Sequence, residues 1–341
     1  MLIVASALFI RSFSALAYRD LGFDRNRVSI AVVDLRAAPS DPIALFEGLR
    51  AGAATVPGVE GAALSMATPI GPSGVRMSAN LEIDSGAGGT LQSARVLSTP
   101  VSPAWFGVYG TRLLEGRDFD RRDTRGAPDV AIVNRAFVQR YFRGADPVGR
   151  ILIERMPRGE RTPLTVVGVV EDAAFTSVRA PLDPILYKPL SQVLNDSLVA
   201  HFPTISISVR TRGEPTPSVE AAVAASIAKV NRNLSLSFQH LDAQLNVFYI
   251  RERLLAMIAG FFGTLGVLLA AVGLYGVMSY AVTMRRREMG IRMALGADGR
   301  AIRRMVLRRA GIMTALGIGA GGIGSFWLAQ TVSALLYGVP A

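Results

Sequence analysis

Two long stretches without a charged side chain, residues 254–284 and 310–341, are separated by a short interval that holds most of the chain's net positive charge. Arginines 285, 286, 287, 292, 300, 303, 304, 308 and 309 stand there against only Glu288 and Asp298, a net +7 of the chain's formal +11. As a helix, Leu254–Met284 would extend about 46 Å at 1.5 Å per residue, more than a hydrocarbon core of about 30 Å. The surplus predicts a tilted helix or one that continues beyond the bilayer. Glycines 260, 263, 266, 273 and 276 would weaken a soluble helix but let membrane helices pack closely. A short cationic connection between membrane spans is expected on the cytoplasmic side.

Composition supports this reading. Half of the 341 residues are hydrophobic and mean hydropathy is +0.35, yet residues 27–245 have an ordinary soluble composition. The charge of +11 would suit nucleic acid, but most of it flanks the apolar spans, and no basic, aromatic-interleaved surface accompanies it. No nucleic-acid partner is expected. Cysteine is absent, which removes a disulfide framework, thiolate metal sites and a cysteine nucleophile.

Met1 to Tyr18 is apolar apart from Arg11, without the basic start of a signal peptide. It reads as the outer end of a first membrane helix. Val28 to Leu35 is a β-branched strand. Pro42 to Val56 has the apolar spacing of an amphipathic helix (Ile43, Leu45, Phe46, Leu49, Ala53) opened by Asp41. Val59 to Met66 is a second strand, so the domain opens β-α-β. Residues 67–90 are rich in Gly, Ser and Pro and read as a loop crossing. Further strands are expected from Val96, at Val130–Asn134, Thr165–Glu171, Ile185–Pro189, Thr204–Arg210 and Leu236–Leu241. Helices are expected at Arg135–Phe142 and Pro217–Val230. The expected fold is an α+β domain in two subdomains plus transmembrane helices. Residues 27–75 and 164–242 each supply β-α-β material, with about 78–160 inserted between them. From Asp242 to Arg253 no helix breaker precedes the apolar span.

Sites of chemistry are few. Gly317, Gly319 and Gly322 satisfy G-x-G-x-x-G, but in a membrane-length apolar run without a preceding strand or a downstream acid they suit helix packing better. The chain contains no G-x-x-x-x-G-K-[ST] nucleotide loop. Asp118, Asp120 and Asp123 alternate with Arg117, Arg121, Arg122 and Arg125, which oppose a cation, so a solvated turn is expected rather than a metal site. Glu171-Asp172 reads as a strand-end turn. The only histidines are His201 and His240, too few for a multi-histidine metal site. No serine has a nucleophile-elbow context. Trp105, Phe106 and Tyr109 are expected in a helix face packed into the core rather than in a partner patch. No catalytic residue, cofactor or metal site is assigned.

One segment has a recognisable signature. Arg287-Glu-Met-Gly-Ile-Arg-Met-Ala-Leu-Gly-Ala297, preceded by Ala270-Ala-Val-Gly-Leu-Tyr-Gly-Val277, resembles MacB/FtsX-type ABC transporter permeases. Val101-Ser-Pro-Ala-Trp-Phe106, Leu114-Glu-Gly-Arg-Asp-Phe119, Asn134-Arg-Ala-Phe137 and Val166-Val-Gly-Val-Val170 are similar to that family's periplasmic core domain. The nearest resemblance is to the long, duplicated permeases of acidobacterial type, of which this chain is expected to be most of one half.

The resemblance implies a bacterial inner-membrane, multi-pass protein. Its parts would be a first transmembrane helix at 1–18, a periplasmic core domain at 19–245, a stalk and second transmembrane helix at 246–284, and a third at 305–330. Between these helices, residues 285–304 would form a cytoplasmic coupling segment, with 331–341 returning to the periplasm before a fourth helix beyond Ala341. Carried over by position, Glu288, Gly290, Arg292, Ala294, Leu295 and Gly296 would dock on a separate ABC ATPase subunit. The function implied is a permease subunit that turns ATP hydrolysis on that partner into periplasmic movement, for export or transenvelope mechanotransmission. Other implied partners are a second permease half or a homodimer, membrane lipid, and a periplasmic adaptor or enzyme. The alternative is a membrane-anchored scaffold that regulates a periplasmic partner without transport. A bare positive-inside signal would need only arginines. The mixed Glu288, Gly290, Gly296 and Asp298 pattern favours coupling.

Overall fold

A computed structural model describes residues 21–35, 42–70, 77–84, 91–156, 159–175, 182–195, 202–287, 291 and 299–333. The first apolar segment and Asp41 lie outside them. The chain forms two units, Asp20–Val247 and Met1–Arg19 with Phe248–Ala341.

In chain order the elements are β1 (Val28–Asp34), α1 (Pro42–Ala54), β2 (Val59–Ser65), β3 (Met77–Asp84), β4 (Leu91–Val101), α2 (Trp105–Tyr109), β5 (Leu113–Gly116) and β6 (Val130–Asn134). Then come α3 (Arg135–Phe137), which continues as a π turn over Val138–Phe142, β7 (Ile151–Arg155), β8 (Arg161–Val170), β9 (Ile185–Pro189) and α4 (Leu190–Val193). The last are β10 (Thr204–Thr211), α5 (Pro217–Val230), β11 (Ser235–His240), α6 (Leu241–Met284) and α7 (Gly299–Ser333).

Two β-α-β pieces, β1-α1-β2 and β10-α5-β11, interleave into one antiparallel sheet of order β11-β1-β10-β2. This is the ferredoxin-like arrangement. Alternation along each strand explains the layer. Ala31, Val33, Ala62, Leu64, Ile205, Ile207 and Val209 point to one face, where Leu45, Phe46 and Leu49 of α1 and Val223 and Ile227 of α5 complete a buried core. Pro217 opens α5 at its first turn and Thr216 sits at its cap.

The other six main strands form a ring. β4 pairs with β3, β3 with β7, and β7 with β8, all antiparallel. β8 then pairs with β6 in parallel, β6 with β9 antiparallel, and β9 with β4 in parallel. The sixth pairing closes the ring, which leaves these strands without free edges. Leu81, Ile83, Val96, Val133, Leu152, Leu164, Val166 and Leu186 fill it, joined by Phe137, Tyr141 and Phe142 from the helical turn after β6. β5 lies outside the ring on the β7 side of β8, at Val170 to Gly168. Its approach needs a glycine there: a Cβ on Gly168 would sit 2.4 Å from the Arg117 carbonyl oxygen.

Two sequence expectations change. The insertion does not end near residue 160; β8 and β9, read as part of the second β-α-β half, pair inside the ring, which runs from Met77 to Pro189. Residues 67–90 are not one loop, because Met77–Asp84 is a ring strand with Ala79, Leu81 and Ile83 turned inward. Its short alternating pattern is hidden between Gly- and Ser-rich flanks.

Sheet and ring meet at β2 and beneath α2, among other contacts. Ser65 of β2 pairs with Val101 of β4. Helix α2 then covers the second face of the sheet, where the Tyr109 hydroxyl and Ser208 Oγ are 2.7 Å apart and Val108 lies over Gly61. Trp105, fully buried, is 4.5 Å from the Tyr109 ring and 5.6 Å from that of Tyr187 in β9.

Candidate coupling segment

The second unit is built around two helices. α6 is 44 residues long without interruption, and its stretch Met257–Met284 is long and apolar enough to cross a membrane, with a mean hydropathy of 2.2. Among the described residues it is the one helix that meets this test; Ala310–Gly324 of α7 is apolar but shorter. The span faces outward with large apolar side chains, including Phe261, Leu269, Val272 and Tyr275, each about two-thirds exposed or more. A soluble core helix would have these covered. Three threonine hydroxyls are satisfied within their own helix, Thr264 by the Gly260 carbonyl at 2.9 Å, Thr283 by that of Ser279 at 2.8 Å and Thr314 by that of Ala310 at 2.9 Å. That is what a hydrocarbon surrounding demands, since no water is available there.

α6 ends where the arginines begin, and α7 starts at Gly299 with Arg300, Arg303, Arg304 and Arg308 at i, i+3, i+4 and i+8. These positions share one side of a helix. The residues assigned to the coupling role, Glu288, Gly290, Arg292, Ala294, Leu295 and Gly296, lie outside the described residues. Gly317, Gly319 and Gly322 fall inside α7 rather than in a strand-to-helix turn, so they form no phosphate loop.

Among the described residues, the polar clusters of the folded domain pair within the domain. Arg117 donates to both Asp123 carboxylate oxygens at 2.8 Å, and Asp123 is buried, which corrects the expectation of a wholly solvated turn. Asp120, paired with Arg122, is held well below the usual carboxylate range by that hydrogen bond, whereas burial pushes Asp118 up. Glu171 accepts from Arg112 at 2.5 and 2.8 Å and from Arg135 at 3.3 Å, and its pKa falls chiefly through Arg112. Asp172 accepts from the Ala136 amide at 2.7 Å, and burial raises it. His240 faces Glu220 at 3.5 Å, and His201 lies outside the described residues. Trp105, Phe106 and Tyr109 are core residues.

Sequence reasoning assigned no structural role to Asn134. It is fully buried and accepts from the amides of Phe137 at 3.1 Å and Ile185 at 2.9 Å, while its Nδ2 donates to the Asp183 carbonyl at 2.8 Å. Only the cap of the following turn was signalled locally, by Asn ahead of a helical pattern. A cleft of about 360 Å³ beside it is lined by Ser78, Arg95, Arg140, Tyr141 and Asp183. Arg95 is tied to Ser78 at 3.0 Å and Arg140 lies over the Tyr141 ring.

An α+β domain followed by a long, outward-facing apolar helix and an arginine-rich interval fits a membrane-anchored domain protein. The family comparisons are more specific. Residues 1–228 match the MacB-like periplasmic core domain and residues 260–341 the FtsX-like permease C-terminal region. The chain therefore belongs to the MacB/FtsX-type ABC permease family. It is 27% identical over 195 residues to the macrolide export ATP-binding/permease protein MacB of Chromobacterium violaceum, covering 57% of this chain and 29% of that protein. With the probable syringafactin export ATP-binding/permease protein SyfD of Pseudomonas syringae pv. tomato it shares 28% over 226 residues, 66% of this chain and 33% of that one. The chain thus spans about a third of these relatives' length. Among solved structures, the periplasmic region of MacB from Actinobacillus actinomycetemcomitans aligns at 16% identity with a TM-score of 0.45, over 68% of this chain and 97% of that one. The extracellular domain of the transporter YknZ from Gram-positive bacteria aligns at 17% with a TM-score of 0.37, over 62% and 98%.

Proposed function

We propose that this permease chain couples ATP hydrolysis on a partner ATPase to movement of its α+β domain across a bacterial inner membrane. The observation that carries the reading is α6: one unbroken helix begins directly after β11, passes through the apolar span and ends at Met284, just before the arginines. A helix without Pro or a π bulge lacks two of the common causes of a kink, which favours transmission of displacement along it. In this reading residues 285–304 lie in the cytoplasm, Glu288, Gly290, Arg292, Ala294, Leu295 and Gly296 meet the ATPase, and the α+β domain lies in the periplasm. Residues 1–18 and 305–330 supply the further transmembrane helices, with a second permease half or a second copy completing the assembly. The relatives' names pair ATP binding with a permease, which supports an ATPase partner. Their names also speak of export, which supports export over a static scaffold.

The test is purification from native membranes in mild detergent, comparing wild type with Glu288→Lys. Wild type is expected to bring down an ATPase whose activity it stimulates. The variant, equally inserted, is expected to lose the ATPase or its stimulation. Undiminished stimulation by Glu288→Lys would remove the coupling role from this segment.

A further inference from the structure

Residues 21–24, immediately before β1, touch three separate parts of the α+β domain. The Leu21 carbonyl accepts from the Ala174 amide at 2.8 Å, in the loop that leaves ring strand β8. The Gly22 carbonyl accepts from Thr111 Oγ1 at 3.1 Å, and the Asp24 amide donates to the Tyr109 carbonyl at 2.7 Å, both at the end of α2. The Asp24 carboxylate accepts from Arg210 Nη2 at 2.9 Å, in sheet strand β10, and from Arg27 at 3.1 Å. Leu21 and Phe23 are buried, and Phe23 meets the Tyr109 ring edge-on. Gly22 has φ +75°, and a Cβ there would come within 1.9 Å of the Asp172 carbonyl oxygen. Only glycine fits this approach. Asp172 itself holds the Ala136 amide at the start of the helical turn that joins the ring core.

The chain thus enters the domain at the seam between sheet and ring. It leaves by β11, the edge strand of the sheet on the side remote from the ring. We propose that Leu21–Asp24 is a strap, with Gly22 and Asp24 as positioning residues, that ties the ring to the sheet and passes displacement of residues 1–20 to the ring. A shift of the entering chain relative to β11 acts on the seam, because the chain enters at the seam while β11 lies at the far edge of the sheet. The motion-transmitting half of this inference rests on the proposed coupling function; the tying half does not.

The experiment uses the full chain in detergent or nanodiscs, with spin labels at Gln92→Cys on exposed β4 and Lys229→Cys on exposed α5. The native chain's lack of cysteine makes such labelling selective. Wild type is expected to give one narrow inter-label distance. Gly22→Ala and Asp24→Asn are expected to add a second, resolved distance and to speed amide exchange at residues 172–174 by at least about tenfold, while β1 and β10 stay protected. Arg122→Ala, which removes an exposed ion pair with Asp120 and no bond to residues 21–24, serves as the control. If Gly22→Ala disrupts the whole domain, Asp24→Asn decides, since it keeps the side chain's size while removing its charge and one acceptor oxygen. Unchanged distance and exchange in Asp24→Asn overturn the strap. With the ATPase and ATP added, wild type is expected to shift its distance and Gly22→Ala not to. No shift in wild type counts against the coupling function and the transmission, while the nucleotide-free distances still decide whether the strap ties the ring.

Discussion

Lys188 and Glu154 lie inside the ring, two residues along from the inward-facing Leu186 and Leu152, and each is 7% exposed. Lys188 Nζ donates to both carboxylate oxygens at 2.9 Å. Removing one member leaves the other charged and uncompensated in a low-dielectric site, which costs about 3–5 kcal/mol. Lys188→Met is therefore expected to lower the unfolding free energy by about that amount, whereas Lys188→Met with Glu154→Leu recovers most of it. Chemical unfolding of the full chain in a Trp327→Phe background, followed by fluorescence of buried Trp105, measures both. Asn134→Ala is expected to cost about 3 kcal/mol in the same measurement, because it strands buried amides at Phe137 and Ile185. Glu171 titrates below its ordinary value through Arg112. Its ion pairs therefore stabilise the fold above the unfolded glutamate pKa, and that contribution is lost as pH falls through the lower folded value. Glu171→Gln is expected to flatten the acid limb of the stability curve below about pH 4.5 and to leave the limb above pH 7 unchanged.

At the scale of elements, the ring closes through β4 and β9, whose register runs from Leu97↔Ile185 to Val101↔Pro189. These partners are nearly ninety residues apart, so no local pattern announces the closure. Within the ring, β8 carries β7 and β5 on one edge and β6 on the other, with register shifts opposite Ile132 and Glu115. Such irregularities let a strand serve several partners. Gly168→Ala is expected to push β5 off β8, to speed exchange of the Arg117 amide now bonded to Val167 at 2.9 Å, and to cost about 1–3 kcal/mol. Unchanged Arg117 exchange would mean that backbone movement absorbs the methyl group.

For the whole molecule, the arginine-rich interval is expected to set orientation as well as contact. Replacing Arg285, Arg286 and Arg287 with Glu removes three cations and adds three anions at the end of the α6 span. Loss of the cations is the topological lesion. The α+β domain of this variant is expected to lose its single periplasmic placement, read by reaction of Lys229→Cys with a membrane-impermeant thiol reagent in intact cells. Labelling equal to that of the single-cysteine parent would show that other segments dictate topology.

The amino-acid sequence by itself determined what depends on near neighbours and on solvent. The apolar span and its arginines follow from transfer free energy, and the β-α-β halves follow from periods of 2 and 3.6 residues. Family membership was carried by short runs such as Asn134-Arg-Ala-Phe137 and Arg287-Glu-Met-Gly. The proposed coupling residues were read entirely from such a run. Tertiary structure alone decided what depends on distant partners: that Met77–Asp84 is a strand, that the insertion reaches Pro189, that Asn134 reaches across to Asp183 and Ile185 and that Gly22 lies against Asp172. The physical reason is range. Periodicity records which side of an element is dry, whereas strand partners and close backbone approaches are set by packing between residues tens to hundreds of positions apart.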